Sequence, residues 1–190
     1  MFTFKDKFTG YLLASSPILY NESDPQKLIL IISHSPQLVI GLQINQEILG
    51  QTIQSVSGRM GIPIEGEDSL WNGGTLGKDK IHVIHSTDWK GISTTTLSDD
   101  LAITSDISVL TALSRSEGPS MFRACAGFHS WTHPELMSSL GIQPNGIERK
   151  QTDWEVVPAN EDLVLDSISG DDQWLKALEA SAIYQSSHWF

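Results

Sequence analysis

The sequence of 190 residues predicts one α+β domain, over residues 1–190, built on a mixed and largely antiparallel sheet. Apolar residues form 39% of the chain and charged residues 18%, which supplies enough apolar surface for one packed core. Segments with strand patterning outnumber segments with helical patterning, and the two kinds do not alternate strictly. A doubly wound parallel sheet requires that alternation, so the sequence favours the α+β class.

The first part of the chain predicts a strand over residues 8–15, followed by a β-hairpin. Residues 28–33 and 39–45 are aliphatic, β-branched runs, and the short polar segment between them favours a tight connection. Residues 46–60 carry apolar side chains at helical spacing, which predicts an amphipathic helix.

The rest of the chain adds several strands and three helices. We predict a strand through Cys125 and further strands over residues 70–74, 81–86, 94–97, 101–104, 154–157 and 163–165. The predicted helices run from Ser105 or Asp106 to Ser114, from Pro134 to Leu140, and onward from Asp171 or Asp172.

The charge balance argues against a nucleic-acid partner. The chain has 12 basic and 23 acidic residues, a net charge of −11, and no three basic residues are adjacent. Duplex binding depends on clustered lysine and arginine that displace counterions, so we expect no direct binding of nucleic acid. From residue 151 onward the chain has eight acidic residues and one lysine, which indicates either a solvated acidic face or a docking surface for a basic protein partner.

Membrane attachment and disulfide bonding are not expected. The longest aliphatic run, residues 28–32, is far shorter than the ~20 residues of a membrane-spanning helix, and the N-terminus lacks the pattern of a signal peptide. We therefore expect a cytoplasmic protein. The single cysteine, Cys125, excludes an internal disulfide and a cysteine zinc cluster, and its apolar surroundings predict a buried, unreactive thiol.

No motif in the sequence predicts a cofactor, a metal ion or a catalytic residue. The segment from Gly73 to Lys78 has some likeness to a phosphate-binding loop, but its glycine spacing is too short and Asp79 takes the place of the hydroxyl residue. A turn with positive φ at Gly73 or Gly74 is the better interpretation. His82 and His85 are three positions apart on a predicted strand and therefore face opposite ways.

Tryptophan 131 lies where the strand through Cys125 meets the helix that begins at Pro134. A large ring at such a junction packs between sheet and helix, so we expect Trp131 to stabilise the fold. A second tryptophan near the C-terminus, Trp189, either packs back onto the domain or forms an exposed anchor.

Several short segments, in order along nearly the whole chain, resemble the YqgE/AlgH family of bacterial proteins. They are residues 10–17 (Gly-Tyr-Leu-Leu-Ala-Ser-Ser-Pro), His34 with Gly41 and Asn45, Gly73-Gly74 with His85, and residues 127–131 (Gly-Phe-His-Ser-Trp). The chain departs from the family pattern at Leu38, where the family has glycine, and at Thr75, where it has proline. The resemblance identifies a divergent member.

The resemblance implies a bifurcated sheet that rolls into a pseudo-barrel with flanking helices, and it implies no established reaction. Our first hypothesis is a non-enzymatic regulatory or protein-interaction protein. The alternatives are a transcriptional regulator, as the AlgH label suggests, and a small-ligand-binding protein or an unrecognised enzyme. The small-ligand alternative requires one pocket that gathers six candidate residues, which otherwise serve turns and the core: His34, Asn45, Gly73, Gly74, His85 and Trp131.

Overall fold

A computed structural model describes residues 8–19, 26–142 and 152–187, so Trp189 lies outside the described part. The strands in chain order are β1 Tyr11–Ser15, β2 Leu28–His34, β3 Leu38–Gln43, β4 Glu47–Thr52, β5 Ser69–Asn72, β6 Leu76–Ser86, β7 Thr95–Thr96, β8 Leu101–Thr104, β9 Phe122–Thr132 and β10 Trp154–Pro158. The helices are α1 Ile53–Arg59, α2 Ile107–Ser114, α3 His133–Ser139, α4 Glu161–Val164 and α5 Gly170–Ser187.

The sheet is mixed, largely antiparallel and bifurcated, as predicted, and it curls into a half-barrel. One path runs β10-β1-β2-β3-β9-β6-β8-β7, with antiparallel pairing throughout. The branch point lies on β9: residues 129–132 pair with β3, whereas residues 124–126 pair in parallel with β5. β4 extends this second branch by pairing with β5.

Three apolar clusters hold the sheet and helices together. In the central cluster, side chains from one face of both sheet branches pack against α4 and α5. The opposite face of the β5-β9-β6 branch packs against α1 and α2, and the opposite face of the β1-β2-β3 branch packs against α3. α1 and α2 are short, with seven and eight residues, and leave part of the outer face of the sheet between them.

Most predicted elements are present, with small shifts at their ends. The hairpin formed by β2 and β3, the helix α2 with Asp106 as its N-cap, and the late strand β10 are confirmed. The predicted strand over residues 81–86 begins earlier, at Leu76. Within the described residues, no helix is both long and apolar enough to cross a membrane.

Two predicted elements are wrong. Residues 46–60 are not one helix, because β4 pairs with β5 before α1 begins at Ile53. The Thr52 side chain accepts a hydrogen bond from the Ser55 backbone, and the Ser55 side chain reciprocates, which fixes the helix start. The predicted strand over residues 163–165 falls instead on a helical turn, α4, because the Asn160 side chain caps it.

Candidate functional site

The six candidate residues do not converge on one pocket. His34 pairs with Val39 across the hairpin, and Val39 pairs in turn with Trp131 on β9. His85 pairs with Phe122, at the other end of β9. Nine positions separate Phe122 from Trp131, which is a distance of about 30 Å along a strand. The hypothesis of a single pocket formed by all six residues is therefore wrong.

His34 is a buried residue at the end of β2. A hydrogen bond of 2.8 Å joins its Nε2 to Nδ1 of His133, the first residue of α3. Its ring also stacks on Phe8, with centroids 5.6 Å apart. His34 thus ties the end of the hairpin to the start of α3.

Asn45 is also buried, and its side-chain amide is used within the fold. Its Oδ1 accepts a hydrogen bond from the Leu28 backbone nitrogen at 3.1 Å. Its Nδ2 donates to the backbone carbonyls of Gln26, at 2.8 Å, and Gly170, at 3.1 Å. Asn45 therefore fastens the start of α5 to the start of β2 and is a satisfied core polar residue.

His85 is fully buried with both ring nitrogens in hydrogen bonds. Its Nδ1 lies 2.8 Å from the Ser86 carbonyl, which can only accept, so Nδ1 carries the hydrogen. Its Nε2 then accepts from the Thr104 hydroxyl at 3.0 Å. Burial lowers the pKa of His85 and keeps the ring neutral. Thr104 is buried as well, so this pair is closed to a substrate.

Gly73 and Gly74 lie where the chain crosses β9 on its way from β5 to β6, which run along opposite sides of β9. The Gly73 nitrogen donates to the Ala126 carbonyl at 2.9 Å, and its carbonyl accepts from the Gln43 nitrogen at 2.9 Å. A Cβ on Gly74 would lie within 2.5 Å of the His129 nitrogen. The φ of Gly74 is 158°, a positive value as predicted, and the close crossing also leaves no room for a side chain. We call this crossing, residues 73–74 over residues 126–129, the fork.

Trp131 lies beside the fork and is half-buried. It packs against the cluster under α3, and Gly41 makes room for its ring. The His129 ring stacks on it, with centroids 5.9 Å apart. The structure therefore brings Gly73, Gly74 and Trp131 to one region and adds His129, which sequence analysis did not select.

The fork also holds an oriented lysine. Lys78 Nζ donates to Asn72 Oδ1 at 2.5 Å, and Asn72 Nδ2 donates to Gln46 Oε1 at 3.1 Å. The Nε2 of His129 is buried without a hydrogen-bond partner among the described residues. Burial, and then the charges of Lys27 and Lys78, lower the pKa of His129, so its ring is neutral near pH 7.

An open groove runs from the fork across the outer face of the sheet, between α1 and α2. It consists of two adjoining cavities of about 640 and 530 Å³, which share Met60, Asp79 and Ile81. Asn72 and Lys78 line its fork end. The groove floor and walls include Val56, Leu70, Val83, Ala126, Ile107 and Leu110. Three large apolar side chains along it are exposed: Leu49 by 93%, Ile107 by 59% and Met60 by 48%.

A buried arginine, Arg123, was also missed by sequence analysis, although its place inside an apolar strand segment was a signal. Its guanidinium donates to the Ile44 carbonyl, to Gln173 Oε1 at 2.9 Å and to the Asp166 carbonyl at 2.7 Å. It stacks over the Trp71 ring at 3.8 Å. Burial lowers its pKa to about 10, which leaves it charged.

Neither a reactive thiol nor a metal cluster is found in the part of the chain that the structure describes. Cys125 is fully buried, as predicted, and burial raises the pKa of its thiol to about 12. The described His, Cys, Asp and Glu side chains form no group of three that could hold a metal ion.

Comparison with known proteins identifies the family. A family model described as AlgH-like matches residues 12–184. A UPF0301 protein from Shewanella loihica is 28% identical over 180 residues, which cover 92% of this chain and 91% of the relative. A UPF0301 protein from Sphingopyxis alaskensis is 26% identical over 162 residues, which cover 84% and 82%.

Two solved structures share the fold. The solution structure of the AlgH protein from Pseudomonas aeruginosa matches with a TM-score of 0.70 at 21% identity, over 96% of this chain and 93% of that one. A crystal structure of a protein from Corynebacterium diphtheriae matches with a TM-score of 0.68 at 19% identity, over 93% and 88%. With the family model spanning nearly the whole chain, this protein belongs to the AlgH-like family.

Proposed function

We propose that this protein is a non-enzymatic, cytoplasmic regulatory protein that binds a segment of a partner protein in the groove between α1 and α2. The observation that carries the proposal is the groove itself. Large apolar side chains at its walls, Leu49, Met60 and Ile107, are exposed to solvent above a floor of buried apolar residues. Contiguous exposed apolar surface of this kind marks interaction sites.

The polar candidates favour binding over catalysis. The polar side-chain atoms of Asn45 and His85 form hydrogen bonds within the fold, and Thr104 beside His85 is buried. A catalytic group needs access to substrate as well as a suitable pKa.

The groove fits an extended or helical segment with apolar side chains and an acidic group at one end. Its apolar lining continues from β4 and α1 to the start of α2. The groove therefore spans two adjoining cavities and can hold several successive residues of a segment. Charged residues of both signs line the groove: Glu47, Arg59, Lys78 and Asp79 near the fork, and Asp79, Lys80 and Asp106 toward α2. An acidic group on the segment would meet Lys78, which Asn72 orients, at the fork end.

Peptide display tests the proposal. Peptides selected on the wild-type protein are measured against Met60→Glu, which places a charge in the groove, and against Ile183→Glu on α5. Both side chains are exposed, so neither change disturbs the core. We expect binding to fall about tenfold or more for Met60→Glu and to persist for Ile183→Glu. Equal binding to both variants, or recovery of no specific peptide, contradicts the proposal.

A further inference from the structure

Basic side chains collect at the fork, in a chain whose net charge is −11. Lys78 runs past Gly127, where a Cβ would lie 3.3 Å from the lysine Cδ. Lys80 lies over the Phe128 ring, at 5.9 Å from its centroid. The charges of Lys27 and Lys78 add to burial in lowering the pKa of His129. Lysine side chains thus lie around the fork, with Glu47 and Asp79 beside them.

Lys78 is held in place by a chain of side-chain amides. Gln43 Nε2 and Asn72 Nδ2 both donate to Gln46 Oε1, at 3.3 and 3.1 Å, and this leaves Asn72 Oδ1 to accept from Lys78. An ammonium group has three hydrogens, and the bond to Asn72 uses one of them. The amide chain thus orients the Lys78 ammonium group, which can still donate a hydrogen bond to a further acceptor.

His129 is a second polar residue at the fork, and one of its ring nitrogens has no hydrogen-bond partner among the described residues. Its Nε2 is buried and has no hydrogen-bond partner in the described residues, while the ring is fixed by its stack on Trp131. Buried polar atoms are nearly always paired, and an exception needs an explanation. An acceptor bound at the fork would provide one.

We infer that the fork is a binding site for a small anionic group, a carboxylate or a phosphate, held by Lys78 and His129. A charge-assisted hydrogen bond from the lysine and one from the imidazole suit an oxyanion, and Lys27 adds favourable charge. Glu47, Arg59 and Asp79 line the same cavity as Lys78, so binding of an anion depends on the orientation of the Lys78 ammonium. The inference deepens the proposed function, because the anion would belong to the segment in the groove.

Anion titration followed by NMR tests the site without any peptide. Inorganic phosphate and acetate are added separately to wild type, to Lys78→Met, to His129→Gln and to Lys90→Met, a control on an exposed lysine elsewhere. We expect saturable shifts of the His129 ring and Gly74 amide signals in the millimolar range. We also expect the pKa of His129 to rise on binding, since an anion favours the imidazolium.

Lys78→Met should weaken anion binding about tenfold or more, and Lys90→Met should leave it unchanged. Tighter binding of phosphate than acetate assigns the site to a phosphorylated group, and comparable binding assigns it to a carboxylate. Unsaturable shifts in wild type, or equal binding by Lys78→Met, overturn the inference. If peptides bind the groove while neither anion binds the fork, this inference fails and the proposed function stands.

Discussion

Replacing Arg123 by methionine should destabilise the protein strongly, although no carboxylate among the described residues forms an ion pair with it. Arg123 is 4% exposed, and its guanidinium joins three separate segments: the end of β3 at Ile44, the α4–α5 connection at Asp166, and Gln173 of α5. Methionine keeps most of the volume and removes every donor. The two carbonyls and Gln173 Oε1 then remain in the interior without this partner.

The magnitude follows from opposing contributions. Hydrogen bonds to a charged group are worth about 1.5–3 kcal/mol each, and the stack on Trp71 adds roughly 0.5–2 kcal/mol. Relief from burying a charge offsets several kcal/mol of this loss. We expect the free energy of unfolding to fall by about 2–4 kcal/mol, which is a large share of the 5–15 kcal/mol that is typical of a folded domain.

Urea unfolding followed by tryptophan fluorescence measures this change. Arg115→Met is the matched control, because Arg115 is exposed at the end of α2. The control should keep its free energy of unfolding within about 0.5 kcal/mol of wild type, and the loss of about 2–4 kcal/mol in Arg123→Met corresponds to roughly 4–16 °C in Tm. If the two variants unfold at the same urea concentration, the carbonyl contacts of Arg123 make no net contribution, and the reasoning is refuted.

Three further predictions concern the fork and the surface charge. Trp131→Ala should lower the free energy of unfolding by about 2–3 kcal/mol, less than the 3–5 kcal/mol of a fully buried aromatic residue; an unchanged urea midpoint would exclude a packing role. Gly74→Ala should cost about 3 kcal/mol because its Cβ meets backbone, whereas Gly58→Ala in α1 meets nothing within 4 Å and should be neutral or stabilising; equal unfolding midpoints would contradict the crossing argument. The protein should show no electrophoretic shift of duplex DNA at about 150 mM salt, and a shift that survives this salt would contradict the charge argument.

Elements set by local patterning could be predicted from the sequence. The hairpin β2–β3 follows from two β-branched runs around a polar turn, and α2 follows from Asp106 before an apolar face. The prediction of one helix over residues 46–60 was wrong. Their apolar residues have helical spacing, but residues 47–52 pair with β5 as strand β4. Leu49, which a helix would have buried, is instead 93% exposed beside Gly50, whose φ is 71°.

The fork could not be predicted, since it depends on contacts between distant segments. The parallel pairing of β5 with β9 joins Asn72 to Ala126, and nothing local in either segment indicates it. The same pairing makes Gly73 and Gly74 cross β9 and brings Lys78 near His129. The resemblance drew attention to Gly73 and Gly74, but the crossing that they form emerges only from the assembled sheet.

We propose that the groove between α1 and α2 is the binding surface of this protein. Mapping of amide chemical shifts on addition of one display-selected peptide would locate that surface. We expect the shifts to concentrate at Met60, Ile81 and Ile107 and to extend to Lys78 at the fork. Shifts confined to the acidic helix α5, with the groove signals unchanged, would contradict it.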